Sequence, residues 1–268
     1  MYVIFLLFFL PAFIFSAEPF SPENPFLFPD LAYYPFFLNR KEESFHVMAG
    51  QGYLDYGHFQ ASFFKSYSRF FYGLGYRWFG TSSIEETQFS ETGKASSVST
   101  FSHLFQSVCV NGGMQVNKTM ILGSKVTYQH QSLYTESVSS WSWDVGAQLQ
   151  KDEAYLGVYT VNLLSTPFQW SQGSDKMSPL VVFEGGYSYF PMSFAIKTIF
   201  SETVYLAHVN FNQFLKFSTE LHYRDRLCRY GAGLTLDFGK VSMGYFYSAS
   251  AMDLETIGVN YMRLGFLL

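Results

Sequence analysis

The chain has 268 residues, of which 48% are hydrophobic and 21% aromatic, but only 14% are charged. An ordinary soluble domain carries about 25% charged residues, so this composition excludes a conventionally solvated surface. The net charge of −4, with no basic stripe anywhere, excludes nucleic acid as a partner.

In chain order, the first segment is residues 1–17, "MYVIFLLFFLPAFIFSA", almost wholly apolar and followed by the acidic, proline-containing "EPFSPENP". An apolar run of this length ending in the small pair Ser16-Ala17 reads as a secretory signal peptide cleaved near Ala17. An uncleaved membrane anchor is the other reading, because the segment has no Lys or Arg and Phe15 is bulky. Both readings export the chain. A membrane-spanning helix needs about 20 consecutive apolar residues. After residue 17 the best run is Leu31–Leu38, which is short and contains Pro35.

From residue 44 to 268 the apolar residues are interleaved with polar ones at a period of two, the mark of β-strands. In "RFFYGLGYRWF", Phe70, Tyr72, Leu74, Tyr76 and Trp78 share one face, and Phe71, Gly73, Gly75 and Arg77 the other. In "MILGSKVTYQ", Met120, Leu122, Val126 and Tyr128 oppose Gly123, Lys125, Thr127 and Gln129. In "SSWSWDVGAQLQ", Trp141, Trp143, Val145, Ala147 and Leu149 oppose Ser142, Asp144, Gly146 and Gln148. The same alternation sets Val181, Phe183 and Tyr187 against Glu184 and Gly186, then Leu215, Phe217 and Leu221 against Lys216 and Glu220. It continues with Tyr230, Leu234 and Leu236 against Arg229, Gly231 and Asp237, and closes with Met262, Leu264, Phe266 and Leu268 against Arg263.

Short polar or Gly/Pro breaks at Asn117-Lys118, Lys151–Glu153, Pro191 and Gly239-Lys240 are hairpin turns. Longer polar connections are expected at Thr81–Ser97, Gln131–Ser139, Thr166–Ser178 and Ser248–Glu255. Short turns at one end and long loops at the other are the asymmetry of an outer-membrane barrel. The segments number roughly 14, each of about 16 residues with its connector, enough for crossing strands of about 9–11 residues. The fold class expected is therefore all-β, a transmembrane antiparallel β-barrel in the outer membrane of a diderm bacterium, in contact with outer-membrane lipids.

Parity also assigns the faces. A Lys or Arg at the midplane of a barrel's lipid face costs about 2–4 kcal/mol. Arg77, Lys125, Asp144, Glu184, Lys197, Lys216, Glu220, Arg229, Asp237 and Arg263 all fall on the face opposite the apolar one, and are candidate lumen-lining residues. They are expected to fill the interior as ion pairs, a polar channel being the alternative. Cys109 and Cys228 lie in strand-like segments and read as small buried residues, a single disulfide being the alternative in an exported chain. No Walker, Rossmann or zinc motif calls for a cofactor or metal.

The segments "YGLGYRWF", "SWDVGAQL", "LGVYTVNLLSTPF", "MSPLVVFEGGYSYF", "YGAGLTLDFGKVSMGYFYS" and "NYMRLGFLL" carry a family likeness. Their order resembles the PorV/PorQ-type branch of the FadL-like outer-membrane barrels. The marks are Asp144-Val145-Gly146, then Asn162-Leu163, Ser178-Pro179-Leu180 and Gly186-Tyr187. The resemblance implies about 14 strands, with residues 18–43 forming an N-terminal plug-like segment tucked into or across the lumen, a linker being the other reading. Plug candidates are Pro25, Phe26, Tyr34, Pro35 and Phe36, with Tyr34-Pro35-Phe36 standing where the family has Asn-Pro-Ala. It also implies hydrophobic-solute transport or an accessory role in secretion. The partners implied are a hydrophobic small molecule or a secretion-system protein. The closing strand resembles those read by the barrel-assembly machinery, with Leu268 in place of the usual aromatic residue.

One enzymatic reading competes with these. His130-Gln131-Ser132 followed by Asp144 is similar to the outer-membrane phospholipase A arrangement, and a hairpin centred near residue 137 brings 130 opposite 144. Parity opposes it, since His130 and Ser132 share the lipid face and Asp144 does not. A non-enzymatic protein is expected.

Overall fold

The computed structural model describes residues 43–51, 57–89, 95–189, 192–199, 202–210, 214–224, 227–252 and 255–267. The signal peptide, the plug candidates Pro25, Phe26, Tyr34, Pro35 and Phe36, and the turn at Pro191 lie outside the described residues. Among the described residues, seventeen strands follow in order. They are β1 (Ser44–Gln51), β2 (Gly57–Tyr67), β3 (Phe70–Phe89), β4 (Ala95–Gln115), β5 (Met120–Leu133), β6 (Glu136–Lys151) and β7 (Ala154–Val161), then β8 (Leu164–Ser165), β9 (Phe168–Trp170) and β10 (Gly173–Asp175). The chain continues with β11 (Leu180–Tyr189), β12 (Met192–Ile199), β13 (Glu202–Asn210), β14 (Leu215–Arg224), β15 (Leu227–Asp237), β16 (Val241–Met252) and β17 (Glu255–Leu267).

The main sheet has 15 strands, one of which is the two-residue β8 lying against β6. The remaining fourteen pair antiparallel in sequence order, with β7 joining β11 past the short strands. The pairings return to their start. β1 meets β2 on one side and β17 on the other, from Ser44↔Leu267 to Gln51↔Asn260, while β5 pairs with β6 from Met120↔Leu149 to Leu133↔Glu136. Such a circuit satisfies backbone donors and acceptors between strands, the condition for crossing hydrocarbon with β-structure.

The faces follow the alternation. On β6, Trp141 and Trp143 are 54% and 42% exposed, while Ser140, Ser142 and Asp144 between them are at most 3% exposed. Leu74, Val110, Leu156, Phe183, Ile196 and Leu234 point outward in the same way. The interior is the more polar side, holding Gln60, Asn111, Lys125, Asp144, Gln148 and Glu184 among its buried residues. On β6 the outward apolar residues run from Trp141 to Leu149, bounded by Ser139 and Lys151. At about 3.3 Å per residue and a tilt near 40°, that run spans about 20 Å of membrane.

Three of the four expected long connections are in fact strand. β3 continues to Phe89 and β4 resumes at Ala95; β5 runs to Leu133 and β6 resumes at Glu136; β16 reaches Met252 and β17 begins at Glu255. Above the hydrocarbon a strand's outer face has no reason to be apolar. The hydrogen-bonded ladder therefore persists through "TSSIEETQF" while the alternation that reveals it disappears. Only Thr166–Ser178 is a long connection, and it contains the β9–β10 hairpin. The short turns at the opposite end are built as expected. Asn117 Oδ1 accepts from the Thr119 N–H at 2.8 Å, Asp152 adopts φ 52°, and Gly239 adopts φ 84°.

The strands are unequal in a way that positions the site. β3 and β4 have 20 and 21 residues, whereas β7 and β12 have 8 each. One wall stands well above the membrane. The other is low, and the β7–β11 connection lies at its top.

Candidate lumenal site

Lys125 on β5 and Asp144 on β6 are direct register partners on the inward face. Lys125 Nζ lies 3.2 Å from Asp144 Oδ2, and the side chains are 4% and 1% exposed. The expected hairpin centred near residue 137 is corrected here. The turn is Tyr134-Thr135, so His130 faces Ser139 and Asp144 faces Lys125. On the other side of Lys125 its register partner is Asn111 of β4, 2% exposed. Neither amide atom of Asn111 nor Asp144 Oδ1 has a hydrogen-bond partner among the described residues.

Towards the tall rim, Arg77 of β3 sits between Gln60 and Ser107 in register, with its guanidinium carbon 5.4 Å from the centre of the Phe105 ring. Lower down, Glu184 of β11 is buried and accepts a hydrogen bond from Tyr155 Oη at 2.7 Å. Its register partners are Gly157 and Lys197. Lys216 is half-buried on β14, opposite Thr235. Glu220, Arg229 and Arg263 are placed by backbone register alone, opposite Gly231, His222 and Met48 respectively. Asp237 sits at the exposed end of β15, where its Oδ1 accepts the Gly239 N–H at 2.9 Å. The structure thus brings Arg77, Lys125 and Asp144 to one region, while Glu184, Lys216 and Asp237 stand apart from it.

Sequence reasoning missed what covers this region. Stepping up β6 from Gly146 to Ser142 covers four residues, while its partner advances six, from Tyr159 to Ser165. Asn162, at φ 57°, lies within this bulge. Thr160 Oγ1 bridges it, accepting from Val145 N at 3.0 Å and donating to Val145 O at 3.2 Å. Beyond it Thr166 is tied to β6, its N–H donating to Trp141 O at 2.9 Å and its Oγ1 accepting from Trp141 N at 2.8 Å. The chain then returns inward through Phe168, 7% exposed, and Met177. Between this cover and the wall is a cavity of about 220 Å³, whose lining includes Arg77, Phe105, Lys125, Asp144, Phe168 and Met177. The only trace of the bulge in the sequence is Asn162, a residue type that tolerates the left-handed region.

The cover's tip is held by a carboxylate. Glu136 lies five residues above Trp141, outside the membrane band, and accepts from the Ser171 hydroxyl and from Ser171 N–H at 3.0 Å. The Ser171 hydroxyl, and then its N–H, hold the Glu136 carboxyl below its ordinary pKa. A depressed carboxylate pKa contributes stability above the ordinary value and loses it as pH falls through the folded value. The protection factor of the β9–β10 hairpin, its amide exchange rate relative to the intrinsic rate at the same pH, is therefore expected to fall on acidification below the ordinary carboxylate range. Glu136→Ala should show the low protection factor at every pH.

On the lipid side, Tyr128 and Trp141 pack with their rings tilted at 53° and ring centres 4.8 Å apart, and Tyr128 Oη lies 2.8 Å from Ser139 Oγ. Trp143 Nε1 donates to Ser124 Oγ at 2.6 Å. This is the chemistry of an interfacial aromatic belt, with an apolar ring body and a satisfied polar edge. His130 Nδ1 is 3.1 Å from the same Ser139 hydroxyl. Asp144 points to the lumen, so the His130, Ser132 and Asp144 set of the hydrolase reading is not assembled.

No family model matches the chain, and neither does any curated protein. Solved structures do. The toluene transporter TbuX of Ralstonia pickettii aligns with a TM-score of 0.64 and 10% identity, over 85% of this chain and 90% of that one. The toluene transporter TodX of Pseudomonas putida aligns with a TM-score of 0.64 and 10% identity, over 91% and 92%. A TodX deltaS2S3 mutant, described as a monoaromatic hydrocarbon channel, gives 0.57 and 9%, over 84% and 88%. At such identities the likeness is one of fold, and it extends over nearly the whole of each chain.

Proposed function

We propose that this protein is an outer-membrane channel of the FadL-like type that admits small hydrophobic solutes. The observation that carries this reading is the cavity of about 220 Å³ inside a fourteen-stranded barrel whose fold is similar to that of toluene transporters. A strand circuit with outward Trp, Phe and Leu needs lipid around it, and its C-terminal strand is what the barrel-assembly machinery engages. Phe168 and Met177 of the β7–β11 connection border the cavity, which puts this segment beside the path of an entering solute.

The test is uptake by whole cells, where the lipopolysaccharide leaflet slows hydrophobic solutes. Cells of a diderm host displaying the full chain in their outer membrane are expected to accumulate radiolabelled toluene several-fold faster than vector controls. Equal rates remove the channel reading. The secretion-accessory role of the PorV/PorQ-type branch then takes its place, with the tall β3–β4 hairpin as the surface a secretion-system protein docks on.

A further inference from the structure

We infer that the solute held by this cavity is an uncharged phenol, one aromatic ring carrying a hydroxyl that donates to Asp144, rather than a bare hydrocarbon. The inference rests on the channel reading above and names the solute class of the same site.

Size limits the solute to one ring. A cavity of about 150 Å³ holds a benzene molecule. At about 220 Å³ this one takes a ring with a small substituent and is too small for a long acyl chain. Phe105, Phe168 and Met177 give the ring two aromatic side chains and a thioether to pack against.

Asp144 sets the substituent. It borders the cavity and is 1% exposed. Its Oδ2 lies 3.2 Å from Lys125 Nζ, whereas its Oδ1 has no hydrogen-bond partner among the described residues. Buried polar atoms are as a rule paired, and an ionised carboxylate oxygen only accepts. What is missing at Oδ1 is therefore a donor. A hydrocarbon seated beside it keeps water out and supplies none.

Charge removes the ionic donors and acceptors. An ammonium group brought to Asp144 meets Lys125 Nζ, already 3.2 Å from the same carboxylate. A carboxylate group brought there meets the like charge of Asp144 itself. A phenol avoids both costs, because its hydroxyl titrates at about pH 10 and is neutral at physiological pH. Its oxygen can also accept while its O–H donates. Gln60, Gln129 and Ser142, which border the same space, carry groups able to donate to it.

The test is equilibrium dialysis of radiolabelled ligands at neutral pH against the full chain in nanodiscs, with empty nanodiscs subtracted. Phenol, toluene and fluorobenzene are nearly equal in size and differ in what one ring position offers: a donor, nothing polar, or an acceptor alone. Phenol is expected to bind saturably and at least about tenfold more tightly than either of the others. That ratio, about 1.4 kcal/mol, lies within what a hydrogen bond to a charged group contributes. This comparison depends on no variant. Lys125→Met/Asp144→Leu, checked for folding by heat-modifiable mobility, removes the acceptor without leaving a buried charge behind. In it phenol's advantage over toluene should fall below about twofold. Toluene binding as tightly as phenol in the parent chain overturns the inference and leaves the channel reading standing. Binding of no member of the series overturns both. Benzoate or benzylamine binding as tightly as phenol overturns the neutral class. A phenol preference kept in full by the double variant overturns the role given to Asp144.

Discussion

Asp144→Leu is expected to destabilise the folded barrel by about 3–5 kcal/mol, the cost of removing one partner from a buried ion pair. The carboxylate is 1% exposed and the ammonium 4%, so water does not replace what is lost. Lys125→Met should cost a similar amount, because it leaves Asp144 buried without its cation. The double variant Lys125→Met/Asp144→Leu should recover most of the loss, since a buried pair is often no more stable than apolar residues of similar volume. The measurement is the urea midpoint of the transition from compact to heat-extended mobility in detergent, for all four chains. If the double variant is as unstable as the sum of the singles, the two groups are not acting as a pair. If it recovers, the pair's contribution is one of register: a one-residue slip between β5 and β6 turns the charge of the slipped strand into lipid, at about 2–4 kcal/mol where that charge is the lysine.

That pairing also shows what the sequence made legible and what it did not. The faces were readable because hydrocarbon on one side and a polar interior on the other enforce a period of two through Trp141, Trp143 and Leu149. The strand count followed from the same pattern. Register was not readable, because it is set by the turn, and the β5–β6 turn lies in a polar hairpin above the membrane. No Gly, Pro or Asn marks Tyr134-Thr135 as the turn, so a hairpin centred at 137 set Asp144 against His130 instead of Lys125. The same cause hid the upper parts of β3, β4 and β16 inside expected loops. The cavity's cover was invisible for a different reason. Phe168 and Met177 reach the cavity only through a two-residue excess between β7–β8 and β6, and an excess of that kind leaves no periodic trace. Arg77, Lys125 and Asp144 could be assigned to the lumen from parity. That they share a cavity could not.

The second large effect separates two adjacent glycines of β4. Gly113 faces inward under the Phe71 ring, where an added Cβ lies 2.3 Å from Phe71 Cζ and 2.3 Å from the backbone oxygen of Leu122. Gly112 faces the other way, where a Cβ meets nothing nearer than Phe71 O at 3.5 Å. Gly113→Val is therefore expected to abolish the heat-modifiable folded species, while Gly112→Val should fold with a midpoint close to that of the parent. Overpacking against side chains alone costs about 1–3 kcal/mol. Here one of the two obstacles is backbone, held by the β4–β5 ladder through Gly113↔Gly123 and Met114↔Leu122. Trimming the ring cannot relieve it, so Gly113→Val/Phe71→Ala should fail as Gly113→Val does. Recovery in that double variant shows instead that the ring is the whole obstacle and that the ladder yields. The effect at Gly113 then falls to the range set by side-chain overpacking.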